Sequence, residues 1–438
     1  MKSQEPVSAV STEDLLREAK TAFYVIGALG AGVRNRALEA FAQLIERKQA
    51  YLLEENRKDL EENRGTLEES LYRRLVLDPP KLRDIVAGIR DIAASPDPIG
   101  HVLSRTRLDD GLILERVSVP IGVIAIVFES RPDVIPQILS LALKSGNAVV
   151  LKGGREARRS NHAFMQLVSD LNAGMPELPA GWAQLVDTRE GFRELLRNPD
   201  YVDLVIPRGS NQMVREIMDS TKIPVLGHAE GVCHQYIHHR ADLAKAVRLA
   251  IDSKAQYPAV CNAMETLLVD AGVAAGFLPA FRAEAERQGV RLRLRGCARS
   301  RNILPGIEAA TETDWKTEYG NLTLAVRVVD SLEDAIDHIN RYGSHHTDGI
   351  VTEDAQAREA FLSRVDSATV ISNASTRFAD GFRFGLGAEV GISTLKVHAR
   401  GPVGVEGLTI YKYVLRGHGE VVADYVGEHA KPFLHEKL

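Results

Sequence analysis

The sequence predicts an α/β protein of two doubly wound domains with a β-ribbon flap, and three observations carry that prediction. At 438 residues the chain exceeds what one hydrophobic core fills, because single cores stop growing at roughly 250–300 residues. From Ile121 short β-branched runs alternate with longer amphipathic stretches, and the runs are apolar throughout, as strands of a parallel sheet covered on both faces must be. A second series of the same alternation begins after Lys254.

In chain order, Ser11 to about Arg90 reads as outer helices. Ser11 or Thr12 caps the first, and Leu38, Phe41, Leu44 and Ile45 are spaced for one buried face. The first α/β series is strand Ile121–Val127, helix Val134–Lys144, strand Ala148–Leu151, helix Asn161–Leu171, strand Ala183–Val186, helix Gly191–Leu196, strand Val202–Ile206 and helix Asn211–Ser220. The second is strand Glu265–Val269, helix Ala274–Arg287, strands Val290–Leu294 and Leu324–Val329, helix Leu332–Arg341, strand Gly349–Thr352, helix Ala355–Arg364 and strand Ala368–Ile371. Thr106–Val119 and the tail from Leu408 alternate like exposed strands. Such ribbons are unstable alone and commonly pair across subunits, so a homo-oligomer is expected. The expected domains are 1–104 with 120–253, then 254–400, with 105–119 and 401–438 forming the ribbon. Two doubly wound domains place a cleft between them, and ligands of open α/β sheets bind outside the carboxyl ends of the strands.

Composition narrows the function. A net charge of −5, with acids and bases interspersed, provides no broad basic field for nucleic acid or anionic lipid. Cys233, Cys261 and Cys297 are too few and too far apart for a disulfide framework and point to a reducing compartment. The N-terminus has no apolar signal core and no stretch reaches about 18 uninterrupted apolar residues, which reads as a cytoplasmic chain.

Cys261 lies in a loop directly before an apolar strand, where a thiolate would be a strong nucleophile; a buried structural cysteine is the alternative reading. Cys233, in the apolar run Val232 to Ile237, reads as core. Lys152-Gly153-Gly154 ends a strand and is followed by Arg155, Arg158 and Arg159. Glycines there let a backbone approach a ligand, and the cations suit a phosphate. Arg208-Gly209-Ser210-Asn211 follows a strand and opens a helix, whose unpaired amides favour an anion; a solvated turn is the alternative at both places. The usual glycine-rich dinucleotide fingerprint is absent, so a nucleotide must be bound another way. Around Cys233 the histidines His228, His234, His238 and His239 cluster, but no paired cysteines flank them and a strand would send His238 and His239 to opposite faces, so no metal is expected. Arg131 and Arg377, the latter close after Ser375, occupy loops that follow strands and suit a carboxylate or phosphate, or else a surface ion pair.

Together these segments resemble the aldehyde dehydrogenase superfamily over nearly the whole chain. The most specific pieces are Val127 to Asp133 (VFESRPD), Tyr257 to Met264 (YPAVCNAM), Ala335 to Asp348 (AIDHINRYGSHHTD) and Ser375-Thr376-Arg377-Phe378 running on to Gly385-Leu386-Gly387-Ala388-Glu389. The resemblance implies that Cys261 is the nucleophile, that Lys152 with Gly153 contacts the adenosine ribose or its 2′-phosphate, and that Gly209 and Ser210 lie beside the pyrophosphate. It implies further that Glu318 holds the nicotinamide ribose and that the cofactor is NADP (NADPH). The first domain would then bind NADP and the second carry catalysis. The branch it resembles most reduces L-glutamyl 5-phosphate to L-glutamate 5-semialdehyde and phosphate through a cysteine thioester, in proline biosynthesis, with functional coupling to a glutamate 5-kinase. Arg131, Ser375 and Arg377 are the expected substrate contacts.

Two departures matter. Hydrolytic members carry a base in a Glu-Leu-Gly-Gly segment, whereas Leu226 to Gly231 here shifts or lacks it, with Glu230 as the possible substitute. An enzyme that exchanges its thioester with phosphate must not activate water. The oxyanion asparagine is replaced by Phe128-Glu129-Ser130, which leaves the Cys261 amide with Ser130 or Asn262 for that role. The rival readings are a coenzyme A-acylating aldehyde dehydrogenase and a nicotinamide-independent cysteine hydrolase pairing Cys261 with His228.

Overall fold

A computed structural model describes residues 11–227 and 230–438. Its contacts divide the chain into two compact units. One holds the described residues up to Leu226 with Gly387–Val390 and Gly404–Leu438, and the other holds Gly227–Leu386 with Gly391–Val403. The predicted boundary at 253/254 is therefore corrected to 226/227. The reason is strand pairing: Cys233–Ile237 lies in parallel between Met264–Asp270 and Thr347–Val351, and the helix Leu243–Ala255 buries Ala246, Val247, Ala250 and Ile251 in the core of those strands.

In the first unit, four parallel strands run in the spatial order Ala183–Leu185, Ala148–Lys152, Val123–Phe128, Leu204–Arg208. Val123–Phe128 is buried at every position, which explains its continuous apolar character. The helix Val134–Lys144 forms where the periodicity places it. Ser11 caps the helix Thr12–Ile26 by accepting the amide of Asp14. The ribbon is a small antiparallel sheet. The stretch Thr106–Val119, read as one strand-like run, folds as the hairpin Val102–Asp109 and Leu112–Pro120. Asp110-Gly111 turns it, with Gly111 at φ +85°, a conformation that favours glycine. Thr409–Arg416 adds to one edge and Glu436–Lys437 to the other.

In the second unit, seven described strands run parallel in the spatial order Glu308–Ala309, Arg293–Gly296, Thr323–Val329, Met264–Asp270, Cys233–Ile237, Thr347–Val351, Thr369–Ser372. One face is covered by Leu243–Ala255, Ala271–Arg287 and Ala298–Ile303, the other by Leu332–Tyr342 and Ala355–Arg364. Both units are thus doubly wound α/β. Among the described residues no helix is long and apolar enough to cross a membrane.

The helix Arg158–Gly174, which follows the Lys152 loop, has no cap of its own from Ala157. Asp59, buried in the helix Gln49–Glu62, supplies one: its carboxylate accepts the amides of Arg159 at 3.0 Å and Ser160 at 2.8 Å and the Ser160 hydroxyl at 2.6 Å. Asp59→Ala strands these donors and is expected to cost roughly 3 kcal/mol in urea unfolding. A loss under about 1 kcal/mol would show that water replaces the carboxylate.

Candidate active site

In the second unit, the segments that precede four adjacent strands meet at the amino-terminal edge of the sheet: Gly231-Val232, the Cys261 loop, the Glu318 loop and Ser344. The Cys261 loop thus stands at the amino-terminal edge of its sheet, as its place before an apolar strand indicated, while in the first unit Lys152 and Gly209-Ser210 stand at the carboxyl ends of their strands. Hydrogen bonds tie the segments together. Gly231 N–H donates to Glu318 Oε2 at 3.0 Å, Val232 N–H to Ser344 Oγ at 2.8 Å, and the Cys233 thiol to the carbonyl oxygen of Cys261 at 3.1 Å. Gly231 packs directly on the Cys261 loop, where a Cβ would stand 2.2 Å from the Cys261 oxygen and 2.6 Å from its Cα. Only glycine allows that approach. Sequence reading weighed this stretch for a missing base and passed over Gly231. The signal was the glycine itself.

Cys261 is half-buried, on the loop between the helix Leu243–Ala255 and the strand Met264–Asp270. None of the three cysteines is in a disulfide. Cys233 is fully buried, and burial pushes its thiol well above the usual range, which makes it core as expected. Burial also pushes the Cys297 thiol up, but hydrogen bonds from the Ser300 hydroxyl and the amides of Val328, Ser300 and Arg299 outweigh it and leave the thiol below its ordinary value.

Asn262 is buried and donates from Nδ2 to Ala379 O at 2.8 Å, so its side chain ties down the loop. Its Oδ1 is buried without a hydrogen-bond partner. Arg377 is 7% exposed and donates from Nε to Gln256 Oε1 at 3.0 Å. Burial lowers its pKa and Arg383 adds to the effect, while Cys261, Asp380 and Asp252 oppose it. A buried guanidinium is thus electrostatically coupled to the Cys261 thiol. Ser375 is buried and its hydroxyl accepts from Arg377 N–H and Ser253 Oγ–H, so it shapes the turn that carries Arg377. Ser375, Arg377 and Arg383 line a cavity of about 1710 Å³ together with Arg248, Asp252 and Gln256.

Under the same loops lies a feature that sequence reading missed. Lys254 and Glu265 are both fully buried and meet at 2.5 Å. Glu265 Oε1 accepts Gly320 N–H at 3.2 Å. Burial pushes the Glu265 carboxyl up to about 7 and the Lys254 ammonium down. Neither lies in a motif, and their pairing appears only once a helix end and a strand start are folded together.

In the first unit, Lys152 ends the strand Ala148–Lys152 and folds back to Gly153 O at 2.5 Å. Burial lowers its pKa. Gly209 and Ser210 precede the helix Asn211–Ser220, and Ser210 N–H donates to Glu129 Oε2 at 2.9 Å. Ser130, at φ +45°, donates both N–H (2.6 Å) and Oγ–H (2.8 Å) to Glu156 Oε1. The Ser210 amide expected beside the pyrophosphate is therefore taken by Glu129, and the Ser130 donors considered for the oxyanion are taken by Glu156. The Ser210 amide, at the start of the helix Asn211–Ser220, thus already holds an anionic oxygen. Gly153 is required by packing, since a Cβ would fall 2.2 Å from Asn161 Nδ2. Arg131 is partly exposed and pairs with Asp133 at 3.1 Å, the surface ion pair that was its alternative reading.

The histidines disperse. His234 pairs with Asp348 at 2.8 Å and His238 with Thr352 at 2.8 Å. The strand ends at Ile237, so His238 and His239 do not alternate as expected; their rings lie 4.0 Å apart. His228 lies outside the described residues.

Residues 4–294 match the model of the aldehyde dehydrogenase family. A gamma-glutamyl phosphate reductase of Methanosarcina barkeri is 50% identical over 430 residues, with 96% of each chain covered. One of Natronomonas pharaonis is 52% identical over 434 residues, with 98% of each covered. The crystal structure of gamma-glutamyl phosphate reductase from Thermotoga maritima superposes with a TM-score of 0.91 at 38% identity, covering 94% of this chain and 99% of that one. The chain belongs to the aldehyde dehydrogenase family and, within it, to the gamma-glutamyl phosphate reductases.

Proposed function

We propose that this enzyme reduces L-glutamyl 5-phosphate to L-glutamate 5-semialdehyde and phosphate with NADPH, in proline biosynthesis, through a thioester on Cys261. Family membership implies a nicotinamide cofactor; the cations about Lys152 favour NADP. The observation that carries the reading is Cys261 on a loop fixed by Gly231 and coupled to the buried Arg377.

The Cys261 thiolate attacks the acyl carbon, a C–S bond forms, and inorganic phosphate leaves with the electron pair of the C–O bond. Arg377, charged and desolvated beside the thiolate, stabilises it and receives the departing phosphate. When bound, the nicotinamide supplies the hydride that, with one proton, takes the thioester to a thiohemiacetal. Collapse expels the thiolate and frees the aldehyde. Lys152, the Gly209-Ser210 amides and Glu318 would hold the cofactor. For that, Glu129 has to leave Ser210 N–H and Glu318 has to exchange its bond to Gly231. Ser130 spends both its donors on Glu156 and must give up a bond before it serves the oxyanion, whereas Asn262 spends one of its two Nδ2 hydrogens on Ala379. The exposed Ile410, Tyr411, Tyr413 and Leu415 on the ribbon support a homo-oligomer.

The test is the reverse reaction. With semialdehyde and NADP, the rate is expected to rise and saturate with phosphate and to ignore coenzyme A. Turnover that needs coenzyme A and not phosphate would favour the acylating rival, and ester cleavage without nucleotide would favour the hydrolase.

A further inference from the structure

The loop that carries Cys261 has a buried charge at each end. Lys254 is the penultimate residue of the helix before it and Glu265 is the second residue of the strand after it, and neither side chain has any solvent exposure. Their 2.5 Å contact spans the base of the loop. The second oxygen of Glu265 takes the Gly320 amide, and the Lys254 ammonium lies 5.9 Å from the centre of the Tyr319 ring. Glu318, at the head of that tripeptide, accepts the amide of Gly231, whose backbone rests on Cys261. One ion pair therefore joins the nucleophile loop to the Glu318 loop, and Gly231 closes the circuit.

Stability does not account for the pair. Desolvating two charges generally costs as much as their attraction returns, and apolar side chains of similar volume serve as well or better. The shifts agree: burial drives Glu265 up and Lys254 down, each against its charged form. What a buried pair adds over apolar contact is direction, because only one geometry satisfies it.

We infer that Lys254 and Glu265 are positioning residues, which set the Cys261 loop and the Glu318 loop in register for the thioester chemistry. The inference rests on the function proposed above, since register matters only if both loops serve one reaction. Misplacement by about 1 Å at a reacting centre costs on the order of a hundredfold in rate.

The test compares the parent enzyme with K254M/E265M, in which no buried charge is left unpaired. The expected result is an unfolding transition near the parent's, faster amide hydrogen exchange at 256–263 and 318–320, and a fall of about a hundredfold in kcat for phosphate-dependent NADP reduction. Unchanged exchange in both loops, or parental kcat, would overturn the inference. In the parent alone, these loop amides are expected to exchange as slowly as the strand Met264–Asp270; exchange as fast as the loop 381–387 would overturn it without any variant. Should the parent fail to use phosphate, the proposed function falls, while exchange still reports whether the pair holds the loops.

Discussion

Cys261→Ala is expected to lower phosphate-dependent NADP reduction by at least about 10⁴-fold while leaving the unfolding transition in place. The fold should survive because the side chain is half-buried on a loop and belongs to neither core. The large effect follows because the thiol forms and breaks the covalent bond itself, so no neighbour substitutes. Cys233 is sealed in the core with a thiol held well above its usual range. Cys297 is the real control, since hydrogen bonding leaves its thiol below the ordinary value; Cys297→Ala should turn over at the parental rate. Iodoacetamide should inactivate the parent through an adduct on Cys261, located by peptide mass, and should inactivate Cys297→Ala equally. Turnover retained in Cys261→Ala, or lost in Cys297→Ala, would reject the assignment.

Gly231→Ala is expected to lower kcat by a hundredfold or so, the effect of displacing a reacting group by about 1 Å, and to cost roughly 1–3 kcal/mol of stability through overpacking. A methyl group 2.2 Å from the Cys261 oxygen, 2.6 Å from its Cα and 2.7 Å from its carbonyl carbon meets the backbone of that residue, so no rotamer change relieves it. Either the Cys261 loop or the Gly231 segment must move, and moving the latter draws its amide from Glu318. Unlike Cys261→Ala, this variant keeps its thiol and should still be alkylated by iodoacetamide. Parental kinetics in Gly231→Ala would mean that the two backbones sit farther apart.

The two variants probe different kinds of information. Cys261 stood out in the sequence because its neighbours form a recognisable segment, Tyr257 to Met264, before an apolar strand. Arg377 and Ser375 were legible in the same way, although Ser375 builds the turn and only Arg377 is coupled to the thiol. Lys152, Gly209 and Ser210 were read from strand ends and a helix start, and they stand there. The partner of Ser210 was not legible: Glu129 lies 81 residues away, and only folding places its carboxylate on the Ser210 amide.

The sequence by itself determined the alternation of strands and helices, the two doubly wound units and the family, and it singled out Cys261 as the candidate nucleophile, because each is written in local periodicity or contiguous motifs. Tertiary structure alone decided that Cys233–Ile237 joins the second sheet, that the Gly231, Cys261, Glu318 and Ser344 segments gather at the amino-terminal edge of its strands, and that Gly231 bears on Cys261 and Lys254 on Glu265. Strand order, close backbone approach and buried charge pairing all depend on which distant segments share a face, and that is settled by packing the whole chain, not by any stretch of it.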